Sequence, residues 1–416
     1  MRVPLLVLAL GALALAPAAE AGSNKVRHTN VVPPAWTATA PSTVGQITDL
    51  EVAGGVVYVA GTTGIAALSP AGEAKWTVAL PAASFRNIAA DDKGVAFTSY
   101  SLAGIDPSEG FRFFVLGKLG DAPTYVDATV GSVTLDGALA WSTPSDVQSP
   151  HSAPGLSPTS IAVMRGKDMV VVDRADGHVL AKPDIKMMGE DSKFFSGFYA
   201  RGYRVQPVFW EGQFYSAFYN TVIQVNPDGS ARETAFGPLF RPFYNVTCGL
   251  VPFGKGLTGG STGDTQKGNA YYAFNGKFGM LYNEWSPDKQ SGCGSVTVVG
   301  ERAVYASNFS VWAINSKGKT VWKSENRKGG LYPASGRGIG YVHYLGFRKS
   351  YPDLMVADPA SVYIATSNDG DVITVLEMNK GKYVRTIDVK APIVAMGLTD
   401  AGLVVATDTD VRFSAR

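Results

Sequence analysis

The chain has 416 residues, 45% of them hydrophobic and only 17% charged, with 47 glycines and 24 prolines. That balance excludes a disordered chain and points to a folded, turn-rich protein with a large core. A formal net charge of +2, from 37 basic and 35 acidic residues, excludes nucleic acid and anionic membrane as partners recruited by field alone.

Residues 1–21 have the make-up of a secretory signal: Arg2, an apolar run from Leu5 to Ala16, and the small-x-small site Ala19-Glu20-Ala21. The run is too short to span a bilayer stably, and no later stretch is long enough for a membrane helix. A soluble, secreted or periplasmic protein is therefore expected. Residues 22–34, GSNKVRHTNVVPP, are polar and proline-containing and are expected to form a flexible leader.

From residue 35 to 416 the sequence reads as a single repeat domain. Val304 to Trp322, VYASNFSVWAINSKGKTVW, contains an apolar strand, a second alternating strand, a glycine turn and a strand ending in Trp. Val57 to Trp76 has the same order, and Gly72 lies four residues before Trp76 as Gly318 lies four before Trp322. In five units the first strand residue precedes a turn glycine by 14 to 16 positions: Val57 and Gly72, Val95 and Gly110, Ile161 and Gly177, Phe214 and Gly229, Val304 and Gly318. Gly137, Gly276 and Gly381 mark further turns, and Gly110 and Gly137 stand close enough to share one unit. Asp, Asn, Ser and Pro before these glycines suit tight turns, with glycine supplying positive φ.

The ends of the chain are complementary. Ala35 to Ala40, AWTATA, reads as the last strand of a unit, while IVAMGL, GLVVATD and DVRFSAR near the C-terminus supply only early strands. The N-terminal strand is expected to complete the C-terminal unit, closing a ring and removing exposed sheet edges. The predicted fold is therefore all-β, a β-propeller of eight blades, with seven as the alternative. Three long insertions, 183–205, 236–268 and 324–352, are expected to gather over one face.

The insertions, together with the stretch that follows the first of them, hold the candidate binding residues. Phe194 to Tyr219 is densely aromatic and includes Tyr199, Arg201, Tyr203, Arg204 and Trp210. Aromatic faces beside guanidinium groups can stack a sugar or hold an anionic ligand, although such rings equally suit a core between blades. Arg241, in FGPLFRPFYNVT, extends the same surface. Arg337, His343 and Arg348 lie in a basic, glycine-rich stretch able to cradle an anion or to stay solvated, and Gly-Lys-Ser/Thr is missing from it. The histidines at 28, 151, 178 and 343 show no metal-ligand spacing, so no metal is expected. Cys248 and Cys293, the only cysteines, are expected to form one disulfide in an exported chain. No nucleophile elbow, HExxH helix or distinctive pair of carboxylates occurs.

The repeated VYV strand, glycine turn and Trp, clearest in the units ending at Trp76, Trp141 and Trp322, resemble the pyrroloquinoline-quinone-type, quinoprotein-like propeller repeat. Ala181, Glu233 and Arg385 stand where other units carry Trp. The resemblance implies a propeller, in a family of redox enzymes and of cofactor-free binding scaffolds. Those enzymes carry adjacent cysteines over the cofactor; no Cys-Cys pair occurs in this sequence, so neither the quinone nor calcium is expected. The expectation is a monomeric, non-catalytic binding module for a protein or a polysaccharide. The alternative is an exported enzyme, a quinone-dependent dehydrogenase or a polysaccharide-acting lyase or hydrolase.

Overall fold

Continuous apolar runs such as Val56–Gly61, VVYVAG, must form strands buried on both faces, because alternation sends successive side chains to opposite sides. The computed structural model describes residues 24–25, 30–104, 106, 124–165, 168–183, 205–218, 221–226, 230–235, 246–247, 250–262, 270–275, 280–285, 295–306, 310–325, 354–366 and 371–416. Among these residues every element longer than a turn is a strand, and the strands form eight sheets.

Sheet I contains Ile47–Ala53, Val56–Gly61, Gly64–Leu68 and Ala74–Ala79, each antiparallel to the one before. Sheet II repeats the order with Phe85–Asp91, Gly94–Leu102, Tyr125–Val133 and Leu139–Pro144. Sheet III is Gly155–Leu156, Ser160–Arg165, Asp168–Asp173 and Val179–Ala181. Sheet IV is Val208–Trp210, Gln213–Phe218, Thr221–Val225 and Ala231–Ala235. Sheet V is Val251–Phe253, Gly256–Thr262, Ala270–Asn275 and Met280–Trp285, with Val246–Thr247 also paired to its second strand. Sheet VI is Ser295–Val299, Arg302–Ala306, Ser310–Asn315 and Thr320–Glu325. Sheet VII is Met355–Ala357, Ser361–Thr366, Val372–Glu377 and Tyr383–Asp388.

Sheet VIII is drawn from both ends of the sequence. Ala395–Leu398, Gly402–Ala406 and Asp410–Ala415 are joined by Trp36–Thr39, which pairs antiparallel to Asp410–Ala415 in the register Trp36 to Phe413. The Trp36 and Phe413 rings stack at 5.4 Å and 8°. Two short strands also lie in the segment predicted to be a flexible leader. Asn24–Lys25 and Val31–Val32 pair in parallel with the fourth strands of sheets VI and VII.

Among the described residues, eight apolar clusters each join two successive sheets. Tyr58 and Ala60 point from sheet I into the cluster with Ile88, Phe97 and Val133 of sheet II. Val57 and Val59, one residue out of step, point the other way, onto Val404, Ala406 and Phe413 of sheet VIII. The first strand of each sheet touches that of the next, and the succession runs from sheet I through sheet VIII back to sheet I.

The stretch 236–268 is not one long insertion, since Val251–Phe253 and Gly256–Thr262 within it are strands of sheet V. A long connection that the sequence reading overlooked separates Leu102 from Tyr125 inside sheet II. Gly110 falls in it, outside the described residues, and the strands leading to Gly137 belong to that same sheet.

Candidate functional site

In a four-stranded antiparallel unit, the links from strand one to two and from three to four lie at one end. The links from two to three, and from each fourth strand to the next sheet, lie at the other. The first end is built of tight turns. Gly72, Gly137, Gly177, Gly318 and Gly381 take φ between 65° and 89° in the three-to-four turns, as glycine readily does.

These glycines also serve the neighbouring sheet. A Cβ on Gly137 would lie 2.8 Å from the Trp76 ring, on Gly177 2.4 Å from Trp141, and on Gly381 2.3 Å from Trp322. On Gly72 it would lie 2.8 Å from Trp36. Each of the first three indoles also donates Nε1–H to a carbonyl of the turn it covers: Trp76 to Leu135 at 2.7 Å, Trp141 to Arg174 at 2.9 Å and Trp322 to Met378 at 2.7 Å. Each Trp thus clasps the next unit's turn rather than its own.

A one-residue register shift before the turn aligns Trp76, Trp141 and Trp322 with Ala181, Tyr282 and Arg385. Tyr282 holds the same register position, which the sequence reading missed because the Trp of that strand, Trp285, stands three residues further on. Arg385 faces sheet VIII, and its Nη2 donates to the Ala415 carbonyl at 2.6 Å.

The second end carries the long connections: Leu102 to Tyr125, Ala181 to Val208, Ala235 to Val251 and Glu325 to Met355. Tyr199, Arg201, Tyr203, Arg204, Arg241, Arg337, His343 and Arg348 all fall in three of these, outside the described residues, as does Cys248. Cys293 falls in the connection from sheet V to sheet VI, also outside them. Of the ligand candidates only Trp210 is described. It sits at the turn end of its strand, half-buried, 5.7 Å from the Tyr215 ring, and packs with Val205, Leu250 and Leu257 between sheets IV and V.

The entry to the 184–204 segment is anchored by charge. Asp146 takes Lys182 Nζ at 2.8 Å and the guanidinium of buried Arg165. Hydrogen bonding from Lys182, ahead of the charge of Arg165, holds the Asp146 carboxyl below its ordinary pKa despite some burial. Near the inner strands, polar groups are spent on joining sheets. Asp49 accepts the amides of Leu50 at 2.8 Å and Ile88 at 2.7 Å, and Thr48 Oγ1 donates to the Arg86 carbonyl at 2.7 Å. Arg86, 1% exposed, donates to the carbonyls of Gly61 and of Pro81, the latter at 2.6 Å. Burial lowers its pKa to about 10.

At the tight-turn end, Asp173, Asp176 and His178 bring their ligand atoms within 4.8 Å of one another. His178 Nδ1 lies 2.6 Å from Asp176 Oδ1, which raises the imidazole pKa; the His178 amide, donating to the same oxygen at 3.0 Å, and then the ring hold the Asp176 carboxyl below its ordinary value. The sequence DRADGH shows this grouping only as a turn, since the two acids precede the histidine by five and two positions.

No family model matches the chain, and no curated protein matches it by sequence. Solved structures do match. BamB from Moraxella catarrhalis superposes with a TM-score of 0.59 at 10% identity, over 91% of this chain and 95% of that one. The C-terminal WD40 domain of Sif2 gives 0.58 at 11% identity, over 93% and 99% respectively. Kluyveromyces lactis Hsv2 gives 0.50 at 9% identity, over 83% and 99%. The fold is a β-propeller. The tight turns and the strand ends from which the long connections leave lie on its two opposite faces, and the Trp–Gly clasps lie on the tight-turn face.

Proposed function

We propose that this propeller has eight blades, closed by Trp36–Thr39 as the outer strand of the last, and works as a non-catalytic binding module exported from the cell. Its ligand in this reading is a protein or a polysaccharide, held on the face of the long connections. One observation carries the proposal: the four connections between Leu102 and Tyr125, Ala181 and Val208, Ala235 and Val251, and Glu325 and Met355 share that face. Long connections held on a rigid scaffold are where binding residues concentrate. The opposite face is committed to its clasps, where an added side chain would meet an indole.

In this reading Tyr199, Arg201, Tyr203, Arg204, Arg241, Arg337, His343 and Arg348 supply aromatic and cationic contacts. Trp210 contributes by packing blade IV on blade V. Residues 1–21 direct export, and Cys248 and Cys293 pair across consecutive connections, those entering blades V and VI. The test is thermal unfolding of the full chain against soluble polysaccharides, and against pyrroloquinoline quinone with calcium, since a ligand bound by the native state alone raises the midpoint. A rise with a glycan that alanine at Arg201 and Arg204 abolishes upholds the reading. A rise only with quinone and calcium overturns it, and no rise with either leaves a protein as the ligand.

A further inference from the structure

The fourth strand of blade VII, Tyr383–Asp388, does not end its sheet. Val31–Val32 adds a fifth, parallel strand in the register Val31 to Thr386 and Val32 to Ile387. The Thr386 amide donates to the Asn30 carbonyl at 2.8 Å, and the Asn30 amide donates to the Tyr383 hydroxyl at 3.2 Å. Val32 turns inward onto the cluster of Ile387, Leu403 and Val405 between blades VII and VIII. Val31 turns outward and is 56% exposed.

This contact is short for a structural reason. Pro33 and Pro34 follow at once, and without amide hydrogens they cannot extend the ladder. The strand therefore holds by two residues and a single inward side chain, the kind of element that opens locally at low free energy. What it uncovers is a formed receptor: the Thr386 amide, the Tyr383 hydroxyl, an open strand edge and a seat for one branched apolar side chain. Strand addition to such an edge is a general mode of peptide recognition, with backbone bonds giving affinity and the side-chain seat giving selectivity. The same chain uses this mode a second time, at Asn24–Lys25 on blade VI.

We propose that the outer edge of blade VII is a strand-docking site occupied in cis by the leader. Its partner is an extended peptide segment of another protein, with a β-branched residue at the place of Val32, which enters by displacing the leader. The site is on the rim and is separate from the long-connection face.

The probe is a fluorescent peptide of residues 27–35, titrated into the full chain and into its Val32→Asp variant. An aspartate in this half-buried apolar seat empties it, whereas the leader of the unaltered chain competes at a millimolar effective concentration. The variant is expected to bind the peptide at least tenfold more tightly than the unaltered chain, and a scrambled peptide is expected to bind neither. Equal affinities, or no binding to a folded variant, would overturn the proposal. Hydrogen exchange on the unaltered chain checks the release itself and does not depend on the variant folding. The Thr386 amide is expected to exchange at least a hundredfold faster than hydrogen-bonded amides of the third strand, Val372–Glu377. Exchange as slow as theirs would mean that the leader does not let go.

Discussion

Gly177 and Gly212 make a matched pair for testing the indole clasp. Both sit in turns with nearly the same backbone, φ 77° and 82°. Placing alanine at either imposes the left-handed conformation on a side chain, which costs about 1–2 kcal/mol. Their surroundings differ. A Cβ at Gly212 meets nothing within 4 Å, whereas at Gly177 it falls 2.4 Å from Cε3 and 2.7 Å from Cδ2 of Trp141. The indole must then shift, adding about 1–3 kcal/mol of overpacking and endangering the 2.9 Å bond from Nε1 to the Arg174 carbonyl, worth about 1 kcal/mol. Gly177→Ala is thus expected to cost about 2–3 kcal/mol more than Gly212→Ala, read from the urea midpoints of the two variants. In Trp141→Leu the alanine at 177 should cost little more than at 212, because contacting residues are not additive. Equal losses for the two single variants would refute the clasp as a source of stability.

Arg86→Met keeps the length of the side chain but takes the guanidinium donors away from the Gly61 and Pro81 carbonyls. Relief of a buried charge offsets only part of that loss, so a net cost of about 2–4 kcal/mol is expected in urea unfolding. Asp91 is clamped by Arg174 across blades II and III. Burial pushes its carboxyl pKa up, but the Arg174 and Lys93 contacts outweigh this and hold it below the ordinary value. Stability from the clamp is therefore complete above the unfolded carboxyl pKa, near 4, and lost as pH falls through the lower folded value. Asp91→Asn should flatten the stability profile in that acid range and leave its slope near neutrality alone, as acid titration of unfolding would show. Thiol titration of chain produced in an oxidising compartment and unfolded without reductant is expected to find Cys248 and Cys293 unreactive; two reactive thiols would refute their pairing.

Much of this architecture was legible because each blade repeats one local problem. A strand buried on both faces needs an unbroken apolar run, and Val57 to Ala60 and Val304 to Ala306 advertise it. Turn glycines could be recognised from the Asp, Asn and Ser residues around them. Their second duty was hidden, because the indole that requires Gly177 sits 36 residues earlier, on another blade. The strands of blade V were obscured by glycine and serine in Gly256–Thr262, which carry little strand signal. Inner polar links such as Asp49 to the Ile88 amide could not be foreseen, since an isolated acid in a strand predicts neither burial nor partner. Trp210 shows the same limit for the candidate site: an aromatic-rich run states what can stack, and only the neighbouring blade decides which rings are spent on packing.

The pairing of Trp36–Thr39 with Asp410–Ala415 also has a mechanical meaning. Because the strands are antiparallel, the chain enters at Trp36 and leaves beyond Ala415 on the same side of the ladder. Tension applied through those two segments would load its rungs in sequence, beginning with the Ala35 amide on the Phe413 carbonyl, as a zip opens. A shear geometry would spread the same force over every rung together. Pulled through its two ends, the protein should shed the short leader strands Asn24–Lys25 and Val31–Val32 and then part at this seam at low force, while the four main strands of each other sheet, continuous in sequence, stay together.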